Sequence, residues 1–404
     1  MSAALLLLVL PAVVYFLWIC LTFFGGALAV PTSVAELRAM LSRIPAPTTS
    51  AVALYGAWIV LQVLLQLFAP GPWQRGQPLA DGSRLRYRMN GWWSFWITLV
   101  AIAGAARLGW VSPTAAYDHF GPLLTTANLV AFAFAAVLYL RGRHAADGRA
   151  TGHPIADYYA GVSLNPRVRD FDLKFFCEGR PGLILWVLFD LSFAAAQYER
   201  HGTITTPMIL VVAFQIVYVA DYFFHEAAIL TTWDITHERF GWMLAWGSLV
   251  FVPFTYSLQA YYLVDHAHAL PPLAIAGIVA LNLAGYVIFR GANLQKHRFR
   301  LDPESTVWGR RPEFIQTAHG ARLLTSGWWG IARHLNYLGD LLMALAWCLP
   351  TGFRHPLTYF YVAFALVLLV HREARDNTRC REKYGNDWDE YCRRVPWRIV
   401  PGVY

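Results

Sequence analysis

The chain has few charged residues for its length. Asp, Glu, Lys and Arg make up 14% of its 404 residues, against roughly a quarter in soluble proteins. Hydrophobic residues reach 57%. This balance excludes an ordinary soluble domain and predicts an all-α polytopic membrane protein. Lysine is also scarce beside arginine, which is typical of a GC-rich, bacterial genome.

Several cofactor and metal motifs are missing. The sequence contains neither Gly-x-Gly-x-x-Gly after a strand-like run nor a P-loop, which argues against both kinds of nucleotide site. Apart from His266 and His268, the 13 histidines are scattered, and the 5 cysteines form no Cys-x-x-Cys pair. We therefore expect no metal site, and we expect the cysteines to be reduced packing residues.

Apolar runs recur along the whole chain, and we expect about ten of them to cross the membrane as helices. The predicted spans are 3–28, 51–68, 92–106, 123–140, 182–196, 207–224, 241–263, 273–289, 338–349 and 357–370. Most of the 33 Lys and Arg residues then fall in loops on one side. The positive-inside rule predicts that both termini lie on that cytoplasmic side.

We expect one membrane domain over residues 1–404. Spans one to five would form an N-terminal part (1–200), and spans six to ten a catalytic half (201–404). The first span lacks a basic n-region, so we interpret it as a retained helix and not as a signal peptide. The net charge of +8 then reflects topology and a cytoplasmic anion site. Nucleic-acid binding is disfavoured, because no basic soluble domain is present.

The end of the sixth span carries ionisable groups at helical spacing: Tyr218, Asp221, Tyr222, His225 and Glu226. Such groups in the last turns of a membrane helix are functional by default, although an interfacial cap that reaches water is an open alternative. More of them follow in the short connection to the next span: Asp234, His237, Glu238 and Arg239.

Two further polar clusters are rich in cations. Asn293, Lys296 and Arg300 share one helical face, which suits either a phosphate clamp or a positive-inside anchor. Residues 326–340 carry paired indoles between glycines, and after the tenth span Asp376, Cys380 and Lys383 share a stripe beside several arginines. So many arginines beside a bilayer indicate a polyanionic ligand such as nucleotide phosphate. A solvated, self-paired helix is the alternative.

Long segments resemble the sterol reductase family. They are LLTSGWWGIARHLNYLGD (323–340), MALAW (343–347), HREARD (371–376), KYG (383–385) and VPWRIVPGVY (395–404), with SLNPR (163–167), FDLK (171–174), RPG (180–182), LTTWDIT (230–236) and VPFTYSLQ (252–259) upstream. Members of that family reduce carbon–carbon double bonds of the sterol nucleus with NADPH. Most blocks are similar to the branch that reduces the 14,15 double bond, whereas the ending PGVY is similar to the 7,8 branch.

The resemblance implies an NADPH-dependent oxidoreductase with a sterol substrate, membrane lipid around it, no nucleic acid and no obligate protein partner. It assigns the nucleotide contacts to Lys296, Arg300, Leu324, Trp329, Asn336, Tyr337, Asp376, Cys380, Arg381, Glu382, Lys383, Tyr384 and Tyr391. An alkene is a poor hydride acceptor, so an acid must protonate it first. Tyr218, Asp221, His225 and Glu226 are the candidate acids.

Three other interpretations stay open. The first is a delta-7 reductase of the same family. The second is a membrane methyltransferase of the isoprenylcysteine type, which would bind S-adenosylmethionine and to which the pattern Arg333-His-x-Asn-Tyr-x-Gly is also similar. The third is a non-catalytic sterol-binding protein. For localisation, we favour a multi-pass protein of the bacterial inner membrane over one of the endoplasmic reticulum.

Overall fold

The computed structural model describes residues 2–79, 81–145 and 147–404. These residues are mostly helical. The chain divides into two compact units. The first unit comprises Met1–His268 with His355–Leu357, and the second comprises Ala269–Arg354 with Thr358–Tyr404.

The first unit contains helices joined by two short hairpins. Its regular elements in chain order are α1 (Ala3–Phe23), α2 (Val34–Leu41), α3 (Thr49–Phe68), β1 (Trp73–Pro78), β2 (Arg84–Arg88), α4 (Gly91–Arg107), α5 (Ala115–Asp118), α6 (Phe120–Gly142), α7 (Pro154–Ala160), β3 (Arg167–Val168), β4 (Phe171–Asp172), α8 (Leu173–His201), α9 (Thr206–Phe224), α10 (Trp233–Thr236), α11 (Trp242–Trp246), α12 (Val252–Tyr256) and α13 (Leu258–Asp265). A 3-10 helix at Glu226–Thr231 follows α9, and a π-helical turn at Gly247–Phe251 joins α11 to α12.

Helix α8 is the central helix of this unit. Asp172 caps its N-terminus by accepting a hydrogen bond from the Phe175 N–H at 2.9 Å, and Gly202 ends it in the left-handed conformation with φ of 69°. Its most apolar stretch is 72% buried, against 44% for α6 and α9. The rings of Phe189 and Phe193 pack there against Phe120. Between membrane helices, close packing of this kind stabilises through van der Waals contact.

The predicted seventh span is broken into α11, the π-helical turn and α12. Pro253 lacks a backbone N–H, so a regular helix cannot continue through it. Helix α8 approaches the break closely at Gly182. A Cβ at that position would lie 2.0 Å from the Ser248 carbonyl oxygen, so only glycine fits there.

The second unit contains a helical pair and a polar C-terminal part. Its regular elements are α14 (Pro272–Leu301), β5 (Phe314–Gln316), β6 (Arg322–Leu324), α15 (Trp328–Ile331), α16 (Leu335–Cys348), α17 (Phe360–Tyr384) and α18 (Asn386–Arg394). Helices α14 and α16 meet at two glycines, Gly285 and Gly339. A Cβ on Gly339 would lie 2.5 Å from the Phe289 backbone nitrogen. Small residues of this kind let membrane helices approach each other closely.

The C-terminal tail is tied to the segment that precedes α16. The Arg333 and His334 N–H groups donate to the carbonyl oxygens of Trp397 and Arg398 at 2.9 and 2.8 Å. The Tyr404 hydroxyl and the Arg398 guanidinium both donate to the buried Glu373 carboxylate, at 3.2 and 3.1 Å. These bonds fix the backbone that carries several of the expected nucleotide contacts.

Seven helices within the described residues are long and apolar enough to cross a membrane: α1, α3, α6, α8, α9, α14 and the run Pro356–Tyr384 that contains α17. The helical polytopic class is therefore confirmed. The other predicted spans coincide with α4 of 17 residues, with the broken series α11 to α13, and with α16 of 14 residues. The count of about ten spans and the side of the termini stay predictions.

Candidate functional site

The candidate acids of the first unit lie where α9 ends. Tyr218 and Asp221 are on α9, but the helix ends at Phe224, His225 is its C-cap, and Glu226 begins the 3-10 helix. The helical spacing predicted for these residues therefore holds for Tyr218 and Asp221 and does not extend to Glu226. The His225 N–H still makes the α-helical bond to the Asp221 carbonyl at 3.1 Å, but the Ala228 N–H then bonds the His225 carbonyl at 2.9 Å, which is the 3-10 pattern.

Asp221 and His225 form a close pair. The imidazole Nδ1 lies 3.3 Å from the Asp221 Oδ1, and the aspartate side chain is only 9% exposed. Burial lowers the pKa of His225, so its imidazole is neutral at neutral pH. Tyr218, one turn earlier, packs near Trp186 with the ring centroids 6.2 Å apart. Three proton-carrying groups therefore follow one another along the end of α9.

Glu226 belongs to a separate, buried network. Its Oε1 lies 2.7 Å from the Arg180 Nη2, and its Oε2 accepts the Gly91 N–H at 2.8 Å. Arg180 also donates to the Asn90 side-chain oxygen at 2.6 Å. Burial raises the pKa of Glu226, while the Arg180 guanidinium and the Gly91 N–H stabilise its ionised form. Because a guanidinium stays protonated, Glu226 is the carboxylate of a buried ion pair.

The Asn90 amide extends this network to α3. Its nitrogen donates to the carbonyl oxygens of Leu65, Gln66 and Ala69 at 3.0 to 3.1 Å, which satisfies the C-terminal end of that helix. The sequence interpretation missed both Asn90 and Arg180 as site residues. A usable signal existed for Arg180, because an arginine within an apolar run needs a partner.

The connection after the 3-10 helix is held by a buried lysine. Lys174 donates through Nζ to the carbonyl oxygens of Asp234, Ile235 and Glu238 at 2.8, 2.8 and 2.9 Å. An apolar cluster supports this region and contains Tyr87, Met89, Phe175, Ile229, Leu230 and Ile235. The further candidate acids of this connection are thus carried on a backbone of fixed shape.

In the second unit, Lys296 and Trp329 form a cation–π contact. The ammonium nitrogen lies 3.8 Å from the indole centroid, and the indole N–H donates to the Ala292 carbonyl at 2.8 Å. Leu324 packs in the same apolar cluster as Trp329. Arg300 follows Lys296 on the continuous helix α14, as the predicted cationic face requires.

Asn336 lies beside this face. Its Nδ2 donates to the Asn293 Oδ1 at 3.3 Å, while its own Oδ1 is buried without a hydrogen-bond partner in the described part of the chain. The Trp328 N–H donates to the Gln295 Oε1 at 2.8 Å. Gly327 allows this turn with a φ of 64°, since a Cβ there would meet Gln295. An unsatisfied buried acceptor of this kind suits a ligand that donates a hydrogen bond.

His334 connects the turn to α17. Its Nε2 lies 3.4 Å from the Asp376 Oδ2, and its ring stacks on Tyr337 with the centroids 4.7 Å apart. Burial and the positive charges of Lys296 and Arg333 lower the pKa of His334 to about 3. The imidazole is therefore neutral. The Asp376 side chain is 48% exposed, so its carboxylate is open to a ligand.

The remaining predicted nucleotide contacts divide into a packed group and an exposed group. Cys380 and Tyr384 pack against a cluster that contains Trp388 and Tyr391, and burial raises the pKa of Tyr391. Arg381, Glu382 and Lys383 are exposed at the end of α17. Arg381 pairs with Asp389 at 3.5 Å, and the Lys383 ammonium lies 5.0 Å from the centroid of the Tyr384 ring.

Arg333 is the main addition to the predicted set. Its guanidinium donates to the Asn377 Oδ1 at 3.3 Å and to the Cys392 Sγ at 2.6 Å. It also donates to the Pro396 carbonyl at 3.3 Å, while its Nε is buried without a partner among the described residues. These bonds connect α17, α18 and the C-terminal tail, so Arg333 organises the backbone of this cluster.

Comparison with known proteins gives consistent matches. The model of the Ergosterol biosynthesis ERG4/ERG24 family matches residues 2–404. A Delta(14)-sterol reductase of Methylotuvimicrobium alcaliphilum is 55% identical over 99% of this chain and 94% of its own length. The Delta(14)-sterol reductase of Dictyostelium discoideum is 44% identical, with 99% and 90% covered. That of Schizosaccharomyces pombe is 45% identical, with 93% and 90% covered. The chain belongs to the ERG4/ERG24 family of sterol reductases.

Proposed function

We propose that this protein reduces the 14,15 double bond of a sterol with NADPH, in the cytoplasmic membrane of a bacterium. The observation that carries the proposal is the near full-length identity of 44 to 55% with relatives named Delta(14)-sterol reductases. At the coarser level the protein is an enzyme that reduces a sterol double bond. The bacterial relative supports the choice of membrane.

The second unit has the groups that a phosphorylated dinucleotide needs. Lys296 and Arg300 would hold its phosphates, and Trp329 would provide a flat apolar wall for a ring. The Asp376 carboxylate would accept a hydrogen bond from a ribose hydroxyl. The unsatisfied Asn336 Oδ1 would accept a hydrogen bond from another group of the nucleotide. When bound, NADPH supplies the hydride.

The proton must come from the protein. Protonation at carbon-15 places the positive charge at the tertiary carbon-14, where hydride then forms the second C–H bond. We assign the proton donor to Tyr218. The neighbouring Asp221 and His225, which lie 3.3 Å apart, would relay a proton from solvent back to the tyrosinate. Glu226 is assigned a positioning role, because its two oxygens are already engaged by Arg180 and Gly91.

A single assay separates this proposal from its alternatives. Purified protein is incubated in detergent with NADPH or NADH and with a sterol that carries either a 14,15 or a 7,8 double bond, and the product is identified by mass spectrometry. We expect the 14,15 substrate to gain two hydrogens with NADPH. Reduction of the 7,8 substrate alone would reassign the protein to the other branch. Methyl transfer from S-adenosylmethionine without any reduction would overturn the proposal.

A further inference from the structure

The first unit contains a cavity of about 340 Å³ at the end of α6, where that apolar helix stops at Gly142. Apolar side chains, among them Val137 and Leu173, line one part of it, and Arg141 and His144 line another. Cavities of this size accommodate small ligands. Because α6 is long and apolar enough to cross a bilayer, its end lies at the depth of lipid headgroups.

The charged side chains of the lining differ in how they are paired. Asp147 lines it, but its Oδ2 accepts the Ser163 hydroxyl at 2.6 Å and the Leu164 N–H at 3.1 Å, so this carboxylate is engaged by its own loop. Arg167 pairs instead with Asp172 at 3.3 Å. Within the described part of the chain, Arg141 makes no ion pair. An anion is therefore the ligand that the cavity favours.

A neutral acceptor lies in the same lining. The Asn165 Oδ1 is buried and has no hydrogen-bond partner among the described residues. An unsatisfied buried oxygen is costly, and a ligand hydroxyl would relieve it. Cations and a buried acceptor in one cavity together match a phosphate group that also carries hydroxyls.

We propose that this cavity binds the headgroup of an anionic glycerophospholipid of the phosphatidylglycerol type. Arg141 and His144 hold the phosphodiester, and Asn165 accepts a glycerol hydroxyl. Val137, half exposed on α6, and Leu173 contact the first methylenes of the acyl chains. The site is independent of sterol reduction and serves to anchor the N-terminal unit to anionic lipid.

Lipid binding is measured by native mass spectrometry of detergent-solubilised protein titrated with phosphatidylglycerol or phosphatidylcholine. The wild-type protein should retain phosphatidylglycerol about tenfold more tightly. Arg141→Glu should remove that preference, and His144→Ala should weaken it. Both side chains are exposed, so thermal midpoints measured in phosphatidylcholine should stay close to that of the wild-type protein.

The matched control is Arg84→Glu, which makes the same charge change at an exposed site of β2 away from the cavity. It should leave the lipid preference intact. An equal loss in Arg84→Glu and Arg141→Glu, or a wild-type protein without a preference, would overturn the proposal. Soluble glycerol 3-phosphate is the second arm of the experiment. If it displaces phosphatidylglycerol at equal concentration, the ligand is a soluble phosphate and the lipid assignment is wrong.

Discussion

The two polar clusters of this protein, one in each unit, differ in how their charged side chains are paired. In the first unit, Arg180 is fully buried and Glu226 is 4% exposed, and each is bonded by the other and by neighbouring groups. In the second unit, Lys296 faces an indole and Asp376 is half exposed. A buried ion pair fixes geometry, whereas a cation that contacts only an indole can still bind an anion. We infer that the cluster of the first unit positions the catalytic residues, whereas the cluster of the second unit binds the cofactor.

The largest expected effect tests the acid at the end of α9. Tyr218→Phe should lower the reduction rate by about 10²- to 10⁴-fold, because it removes the proposed proton donor. NADPH affinity should stay within a few-fold, since an acid used in the transition state contributes little to cofactor binding. Turnover and cofactor binding are measured on the same preparation.

Tyr198→Phe, at an exposed position of α8, is the control for loss of a tyrosine hydroxyl. Glu226→Gln is measured beside it, because glutamine keeps the shape of the Glu226 side chain and removes its ionisable group. Normal turnover of Tyr218→Phe with cofactor bound would overturn the assignment of the proton donor. If Glu226→Gln also turns over normally, Asp234 or His237 is the next to test.

The second effect concerns the buried ion pair of Arg180 and Glu226. Arg180→Met should cost about 3 to 5 kcal/mol of unfolding free energy, because it leaves the Glu226 carboxylate buried without its partner. The double variant Arg180→Met with Glu226→Met should recover much of that loss while remaining impaired in turnover. Arg200→Met on the same helix removes an exposed ion pair with Asp265 and should cost less than about 1 kcal/mol. Equal losses of unfolding free energy in Arg180→Met and Arg200→Met would show that the buried pair does not stabilise the fold.

The third effect concerns Lys296 and Arg300, two cations on α14. Lys296→Ala or Arg300→Ala should weaken NADPH binding by about 10- to 100-fold and NADH binding less, because the extra phosphate of NADPH loses its cation. Added salt should weaken NADPH binding to the wild-type protein through screening. Arg298→Ala, an exposed change on the same helix, is the control. Equal affinity of the wild-type protein for the two nucleotides would contradict the assignment.

The fourth effect is a pH dependence of stability from His334. Its pKa is lowered from 6.5 to about 3 in the folded protein, so the unfolded chain binds the proton first as the pH falls. Its contribution is therefore complete above pH 6.5 and declines towards pH 3, with a slope of at most about 1.4 kcal/mol per pH unit. His334→Gln should reduce the pH dependence of the thermal midpoint between pH 3 and pH 6.5. His297→Gln, exposed on α14, should leave the slope unchanged.

The smallest effect concerns the tail. Asp376→Asn should weaken NADPH binding a few-fold by replacing an open carboxylate, with little change in folded yield, and Arg372→Ala should weaken it as well. The control is Asp170→Asn, at an exposed site between β3 and β4. Nucleotide binding is measured by titration. Normal binding by both Asp376→Asn and Arg372→Ala would make the tail an anchor and not a contact.

Local patterns predicted much of this architecture. The cationic face of α14 and the stripe through Asp376 and Cys380 on α17 lie on continuous helices, because helical periodicity is a property of neighbouring residues. The pairing of Arg180 with Glu226 could not be predicted, since it joins segments far apart in the sequence. The end of α9 at Phe224 could not be predicted either, because hydrophobic periodicity does not register the change from α-helical to 3-10 hydrogen bonding after His225.

Isotope labelling tests directly which sterol carbon receives the proton and which receives the hydride. A 14,15-unsaturated sterol is reduced once with NADPH that carries deuterium at the transferable position, and separately with unlabelled NADPH in deuterated water. We expect the label from the nicotinamide at carbon-14 and the label from solvent at carbon-15. Nicotinamide deuterium at carbon-15, or product hydrogens drawn wholly from solvent, would contradict protonation followed by hydride transfer.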